Sequence, residues 1–342
     1  MTVLGPVAST ALGVTLPHEH LFLDLRNQFQ APVDPEQRRL SEQPVGPANL
    51  PLLRHNPYAV RDNLVLDDLE LMVAEAGYFK NQGGTTIVDC TSVGIRRSPR
   101  ELAALARRTG LNIVAGCGYY THNTHPPGVR DWPAERIADE MIRDLLEGIG
   151  DTGVRAGIIG EIGTSDPLHP QEAKHLRAAA RAFHQTNAAV YVHADPWGTT
   201  GRDAARVLLD DGVPPSKIVV CHIDVAFQLP YLRSLVDLGV FVEFDSFGKE
   251  FQIPVAGRAF ARGPFARDAE RVRVVQQVLD WGAARQVLLT TDICLKCLLH
   301  RYGGRGYDHL LQSVVPRLLA AGLDRATIDG FLVENPRRLL AG

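Results

Sequence analysis

The sequence predicts an α/β protein, and specifically a (β/α)8 TIM barrel with long loops at one face. Short apolar runs rich in β-branched residues alternate with longer amphipathic stretches. Near-continuous apolar strands separated by helices are typical of a parallel sheet that is covered on both faces. Eight strands in strict alternation fit a closed barrel better than an open doubly wound sheet, which stays the alternative. No GxGxxG motif follows the first strand, so a dinucleotide-binding fold is disfavoured.

The predicted strands are short apolar runs with Gly, Pro or polar residues at their ends. Such runs are within the usual length of a strand and are too short for most helices. They lie at 13–18, 85–90, 112–117, 157–161, 189–193, 217–222, 239–245 and 286–292.

The predicted helices lie between these strands and after the last one. Proline and glycine mark the joints, and Ser98-Pro99 opens one helix that Gly110 ends. The helical patterns cover 67–82, 98–109, 134–149, 170–187, 200–212, 226–237, 268–283, 306–321 and 325–333.

Two segments interrupt the alternation, and both follow the C-terminal end of a strand. Residues 27–62 hold six of the 22 prolines, so this first loop is expected to be either a functional lid or disordered. Residues 246–267 mix phenylalanines with Lys249, Arg258 and Arg262. Barrel enzymes build their sites from loops at this face. We therefore expect one barrel domain over 1–342, with these two segments as its long top loops.

The composition argues against several classes of protein. The 36 basic and 39 acidic residues give a net charge of −3 without a block of like charges, which disfavours nucleic-acid binding. No run of eighteen apolar residues could span a membrane, and no secretory signal is visible. Five cysteines are too few for a disulfide framework. We expect a cytoplasmic protein without nucleic-acid or membrane partners.

Metal-binding residue types end five of the predicted strands. The first strand runs into His18-Glu19-His20, and residues two apart on a strand share a face, so both histidines can point into the barrel mouth. The other strand ends are Glu161, His193, His222 and Asp292. An HxH motif alone is a weak signal. Several strands that end in ligand types favour a metal site over a set of core histidines.

Six ligands are too many for one catalytic ion. A catalytic zinc takes three protein ligands and leaves a position for water, so six suit two ions that share a carboxylate and a hydroxide. Imidazole with carboxylate suits zinc, with Mn, Co, Ni or Fe as alternatives. Two such ions lower the pKa of a bound water to about 7, so no serine or cysteine nucleophile is required. No GxSxG motif is present.

Long and specific segments of the chain resemble those of one known family. They include LGVTLPHEHLFLD at 12–24, the stretch 83–120, GIIGEIGTS at 157–165, VYVHAD at 190–195, VVCHID at 219–224, LLTTDI at 288–293, YGGRGYDHLL at 302–311 and VENPRRLL at 333–340. The sequence resembles the phosphotriesterase-like, or phosphotriesterase-related, branch of the amidohydrolase superfamily along nearly its whole length.

The resemblance implies a role for each ligand. His18, His20 and Asp292 would hold the more buried metal, and the more exposed one would be held by His193 and His222. Many members bridge the metals with a carboxylated lysine at the end of the fourth strand, where this chain has Glu161, as in a recognised sub-branch. No carboxylated lysine is therefore expected. The metal aspartate would orient the hydroxide and then pass a proton to the leaving group, as general base and acid.

The resemblance also implies a metal-dependent hydrolase whose bridging hydroxide attacks a lactone, a carboxylic ester or an N-acyl amide. A phosphotriesterase that uses the same site is one alternative, and a non-catalytic barrel that binds a small ligand is an alternative from another class. Family members are often dimers, so a homodimer is one expected oligomeric state. The expected substrate is a small molecule.

Three residues are candidates for substrate binding. Tyr120 matches a strand-3 tyrosine of the homoserine-lactone hydrolases, and Lys249 and Lys296 are cations that could meet a substrate carboxylate, sulfonate or phosphate. A solvated surface charge is the alternative for each lysine. The homoserine-lactone hydrolases carry an arginine where this chain has Ser246. Members that take phosphosugar lactones carry Arg and Tyr where this chain has leucines, which argues against such substrates.

Overall fold

The fold is a parallel barrel, as the sequence predicts. A computed structural model describes residues 1–253 and 262–341. Eight strands, β1–β8, pair in parallel with the next one along the chain. They are Thr15–Glu19, Thr86–Asp89, Asn112–Cys117, Ile158–Gly163, Val190–His193, Ile218–Val220, Phe241–Phe244 and Val287–Leu289. This order around a nearly closed sheet is that of a (β/α)8 TIM barrel.

Helices α1–α12 connect and cover the strands. They are Pro35–Ser41, Leu50–His55, Leu69–Asn81, Pro99–Thr109, Ala134–Leu146, Pro170–Thr186, Gly201–Asp210, Leu229–Asp237, Asp268–Asp280, Val315–Ala320, Arg325–Asp329 and Asn335–Leu340. Every predicted helical segment contains a helix, whereas α1, α2 and α12 were not predicted. The helix that follows Ser98 ends where Gly110 adopts a φ of 68°, which glycine tolerates without strain. In the described part of the chain, no helix is long and apolar enough to cross a membrane.

Strands β6 and β8 end earlier than predicted. The predicted strands reached His222 and Asp292, but the ladders stop at Val220 and Leu289. His222 has a φ of 61° and Asp292 a φ of 44°, in the left-handed region that residues other than glycine rarely occupy. The chain therefore leaves the extended conformation before it reaches either residue.

The strands are buried on both faces, which explains their near-continuous apolar sequences. In β6, Val219 belongs to one apolar cluster together with Val88 of β2 and Leu288 of β8. The adjacent Val220 belongs to the larger cluster that includes the helices. Successive side chains of a strand thus alternate between the barrel interior and the helical layer.

Side chains join the first strand to the eighth. Just past β8, the Thr290 hydroxyl donates to the His18 carbonyl at 3.0 Å and to the Glu19 carboxylate at 2.6 Å. The backbone N–H of Ile293 donates to the same carboxylate at 2.7 Å. Glu19 is fully buried. It therefore ties the end of β1 to the segment that carries Asp292.

The first long loop folds into two short helices, α1 and α2. The Asp34 carboxylate accepts the Gln37 N–H at 2.9 Å, and Pro35 occupies the first helical position, so α1 has an ordinary helix start. At the base of the loop, Leu23–Asp24 pairs antiparallel with Val65–Leu66. Residues 27–62 are therefore folded and not disordered, and their role as a lid stays a prediction.

The second long loop is described up to residue 253 and again from 262. Arg258 and Phe260 lie outside the described residues. The phenylalanines Phe247, Phe251 and Phe265 are buried in the main core. They pack inside the protein and form no exposed patch.

A buried ion-pair network lies under this loop. From α9, Arg271 donates to Asp224 at 2.9 Å and to Asp268 at 3.2 Å, and all three side chains are fully buried. Arg271 also donates to the Lys249 carbonyl at 3.3 Å, and Asp224 accepts the Ser246 N–H at 3.1 Å. The network therefore holds the backbone that carries Lys249.

Replacement of Arg271 by leucine should destabilise the protein strongly. It would leave Asp224 and Asp268 buried without this cation, and breaking a buried pair costs about 3–5 kcal/mol. We expect a loss of that order in the free energy of unfolding, measured with urea. Arg100→Leu is the matched control, because Arg100 pairs with Asp151 at the surface, where a pair contributes about 0–1 kcal/mol. Equal losses in the two variants would contradict the assignment.

Candidate functional site

The six predicted metal ligands lie together at the C-terminal mouth of the barrel, and Glu161 on β4 is at their centre. Its carboxylate lies 3.0 Å from His193 Nδ1, 3.4 Å from His222 Nε2, 3.5 Å from His20 Nε2 and 3.6 Å from His18 Nε2. All these side chains are buried. One carboxylate thus meets imidazoles from three different strand ends.

Asp292 completes the cluster from the end of β8. Its Oδ1 lies 3.2 Å from His20 Nε2 and 3.8 Å from His18 Nε2, so these three residues form one candidate ligand set. On the other side of the cluster, His222 Nε2 lies 2.8 Å from His193 Nδ1. The groupings are those that the sequence suggested, and their metal-binding role stays a prediction.

The second ring nitrogen of each histidine lies within hydrogen-bonding distance of a protein oxygen. These contacts are His18 Nδ1 to Glu243 at 2.9 Å, His20 Nδ1 to Thr91 at 2.9 Å, His193 Nε2 to the Tyr120 hydroxyl at 3.2 Å, and His222 Nδ1 to Asp245 at 3.0 Å. Metal-binding histidines usually donate their second N–H in this way, which fixes the tautomer and the ring orientation. The other ring nitrogen of each histidine is thereby held facing the cluster.

Sequence reasoning did not identify Glu243, Asp245 or Thr91. The first two stand two residues apart in FVEFD, at the end of the seventh strand, and both are fully buried. Charged residues are rarely buried unless they are paired, so their alternation on an apolar strand was the available signal. Thr91 follows β2 and had no comparable signal.

Four buried carboxylates give the cluster a strong negative field. They are Glu161, Glu243, Asp245 and Asp292. Burial alone would lower the pKa of His18, but the hydrogen bond to Glu243 and the charge of Glu161 raise it to about 10. For His222, Asp245 outweighs burial in the same way and raises the pKa well above its usual value. The site therefore favours positive charge.

These features fit divalent metal ions. His18 Nε2 and Asp292 Oδ1 are buried and make no hydrogen bond among the described residues, whereas buried polar atoms in proteins are nearly always paired. Imidazole and carboxylate are donors that zinc and similar metals prefer. A cation would also compensate the buried carboxylates. The cluster can therefore bind metal.

Lys249 lies inside the site. Its ammonium donates to Asp292 Oδ2 and lies 3.7 Å from Cys294 Sγ. Burial alone would lower the pKa of Lys249, but the charge of Asp292 outweighs it and holds the pKa above its usual value. The side chain is therefore a buried cation beside the candidate ligands.

Lys296 lies elsewhere. Its ammonium donates to Asp62 of the first long loop at 2.6 Å, and it is absent from the residues that line the pocket over the cluster. The contact joins the loop to the segment after β8. Its predicted role in substrate binding has no geometric support here.

A narrow pocket of about 50 Å³ opens over the cluster. Apolar and aromatic side chains form much of its wall, among them Leu25, Tyr58, Val225 and Phe265. Lys249 and the ligands supply its polar groups. This combination of an apolar wall and a few polar groups is typical of small-molecule sites.

Known proteins share both the sequence and this architecture. A profile of the phosphotriesterase family matches residues 1–340. Rat N-acetyltaurine hydrolase is 36% identical over 344 residues, which covers 99% of this chain and 97% of that protein. The structure of a resiniferatoxin-binding protein from Rhodobacter sphaeroides has a TM-score of 0.95 and 37% identity, over 99% of this chain and 94% of that one. A mutant of a phosphotriesterase-like lactonase from Deinococcus radiodurans has a TM-score of 0.77 and 25% identity, over 99% of each chain.

The profile match covers nearly the whole chain, so the resemblance seen in the motifs is confirmed. Relatives named N-acetyltaurine hydrolase are 33–36% identical to it over almost their full length. The chain therefore belongs to the phosphotriesterase family and is a hydrolase.

Proposed function

We propose that this chain hydrolyses N-acyl amides of small anionic amines at a binuclear metal centre. The observation that carries the proposal is its 36% identity, over 99% of its length, to rat N-acetyltaurine hydrolase. The substrate in that name is the amide of a short acid with an amino sulfonate. The ligand cluster and the pocket over it support the same chemistry.

The six clustered side chains would hold the ions. His18, His20 and Asp292 would hold one, His193 and His222 the other, with Glu161 between them. Zinc suits these donors, with Mn, Co, Ni or Fe as alternatives. Bound ions would supply Lewis acidity, which acidifies water and polarises a carbonyl group.

Asp292 is placed to move a proton. Burial would raise the pKa of this carboxyl, but Lys249 and the neighbouring histidines hold it well below its usual range, so it is ionised at neutral pH. It also lines the pocket. A proton that it accepts would pass on to the leaving amine, which is the stronger base, so Asp292 would act as general base and then as general acid.

Two further residues would bind the substrate. Among the described residues that line the pocket, Lys249 is the one lysine or arginine, and its charge suits a sulfonate or carboxylate on the amine. The Tyr120 hydroxyl, 3.2 Å from His193, also faces the pocket and could donate to a carbonyl oxygen.

Two other activities are candidates at the same site. Lactones and carboxylic esters offer the same electrophile, and one solved relative is named a lactonase. Binding without turnover is a candidate from another class, favoured by the 37% identity to a protein named for binding resiniferatoxin. The complete set of ligands argues for turnover, because a site without chemistry would tolerate their loss.

Removal of metal should abolish amide hydrolysis, and reconstitution should restore it. We expect about two ions per chain by elemental analysis, as in two-metal hydrolases. Asp292→Asn should lower N-acetyltaurine turnover by about 10²–10⁴-fold with an unchanged circular dichroism spectrum. Asp237→Asn, at an exposed ion pair, is the control.

The same assay includes a lactone, a carboxylic ester and a phosphotriester. If one of these is hydrolysed and the amide is not, the proposed substrate is wrong, whereas the proposed metal centre still stands. Ligand binding with no turnover in the loaded protein would establish the binding-only alternative.

Asp245→Asn should weaken metal binding by about 10–100-fold, the usual effect of a lost partner behind a histidine ligand. The His222 ring would lose its charged acceptor while all six ligands stay in place. Metal dissociation constants measured by competition with a chelator would test this. An affinity equal to that of Asp237→Asn would show that Asp245 does not support the site.

Metal affinity should rise with pH from about 6 to 10. In the metal-free protein the pKa of His18 is raised from 6.5 to about 10, so below pH 10 its ring carries a proton that must leave before the nitrogen can bind metal. Affinity therefore falls as pH falls, by about tenfold per unit for each released proton. Calorimetry in buffers of different ionisation enthalpy counts these protons. Absence of proton release at pH 7.5 would contradict the assignment.

A further inference from the structure

The first long loop lines a large cavity that is open to solvent and lies outside the metal cluster. The cavity has a volume of about 1090 Å³, and its wall comes from residues between 29 and 59. Small-molecule sites are usually about 300–1,000 Å³, so this space could hold a sizeable organic group. The proposed function uses none of the side chains in this wall. We call this space the loop cavity.

The loop cavity and the active-site pocket both border a third space. This space has a volume of about 230 Å³ and shares Phe29 and Gln30 with the loop cavity. The same space shares Gln28, Tyr120 and His193 with the pocket over the cluster. A molecule whose reactive group lies at the cluster could therefore extend into the loop cavity.

The wall of the loop cavity is suited to an apolar chain. Its apolar residues include Phe29, Val33, Leu40, Leu52 and Ala59. Val33 is 90% exposed, so the cavity is open to solvent on its side. The charged residues that the wall does contain are acidic, so an anionic group would be disfavoured there.

We infer that the loop cavity binds the aliphatic acyl chain of the substrate. The inference rests on the proposed function and narrows it to N-acyl amides with a chain of several carbons. The anionic amine portion would stay near Lys249. Hydrolysis would break the amide C–N bond with consumption of one water, so that the acyl carbon gains the hydroxyl and the nitrogen gains the hydrogen. The products would be a medium- or long-chain carboxylic acid and the free amine.

A chain-length series tests the inference. N-acetyl-, N-butanoyl- and N-octanoyltaurine would be compared on the metal-loaded protein. We expect kcat/KM for the octanoyl substrate to exceed that for the acetyl substrate by about tenfold or more, because each buried methylene adds binding energy. Equal values across the series would overturn the inference while leaving amide hydrolysis established.

The variant Val33→Arg locates the effect. Because Val33 is 90% exposed, its replacement should not affect folding. The arginine would place a positive charge at the wall of the loop cavity. The octanoyl advantage should fall by about tenfold and acetyl turnover should stay unchanged. Leu319→Arg is the matched control, because Leu319 is an exposed leucine on α10 that does not line this cavity. An advantage that survives in Val33→Arg would place the acyl chain elsewhere.

A second test measures the binding of octanoate and of acetate by calorimetry, and it does not depend on catalytic turnover. Octanoate should bind more tightly than acetate, and Val33→Arg should remove the difference. If no N-acyltaurine is hydrolysed but octanoate binds in this way, the proposed reaction fails and the acyl-chain site stands. If neither octanoate binding nor a chain-length effect is found, the inference fails. Sedimentation that shows a dimer converted to a monomer by Val33→Arg would assign the loop cavity to a second copy of the chain and overturn it.

Discussion

The structure of the site depends on the burial of the Glu161 carboxylate. A buried carboxylate is costly unless it is paired and hydrogen-bonded, and here four imidazole nitrogens lie within 3.6 Å of it. These imidazoles must arrive at the same depth from strands that are far apart in sequence. A parallel barrel achieves this because all its strands end at one face.

A second layer of buried polar groups fixes the geometry of the first. The left-handed backbone at His222 is a strained conformation, and such strain persists only where the surroundings impose it. The Asp245 carboxylate imposes it by accepting both the backbone N–H of His222, at 2.7 Å, and its ring nitrogen, at 3.0 Å. Glu19 has a similar effect on the segment of Asp292, because it accepts from residues on both sides of that aspartate. Glu19, which lies between the two histidines of the HxH motif, therefore holds the segment of Asp292 in position.

The fold and the ligand cluster could be predicted because local sequence patterns indicate both. Apolar runs of strand length recur between amphipathic stretches, and each ligand closes one of these runs. The contacts that could not be predicted join residues far apart in sequence. Lys296 pairs with Asp62 across 234 positions, and His18 contacts Glu243 across 225. The strand ends at His222 and Asp292 were misplaced because their sequences look extended, whereas their backbone conformations follow from tertiary contacts.

The charges around the cluster explain how four carboxylates can be buried close together. Its four buried carboxylates would repel one another if they faced only neutral groups. The raised pKa values of His18 and His222 make both rings positive at neutral pH, and the buried ammonium of Lys249 contacts Asp292. Three cations thus lie among four buried carboxylates. Metal binding would exchange protons for metal charge, while the second layer would orient the ligands.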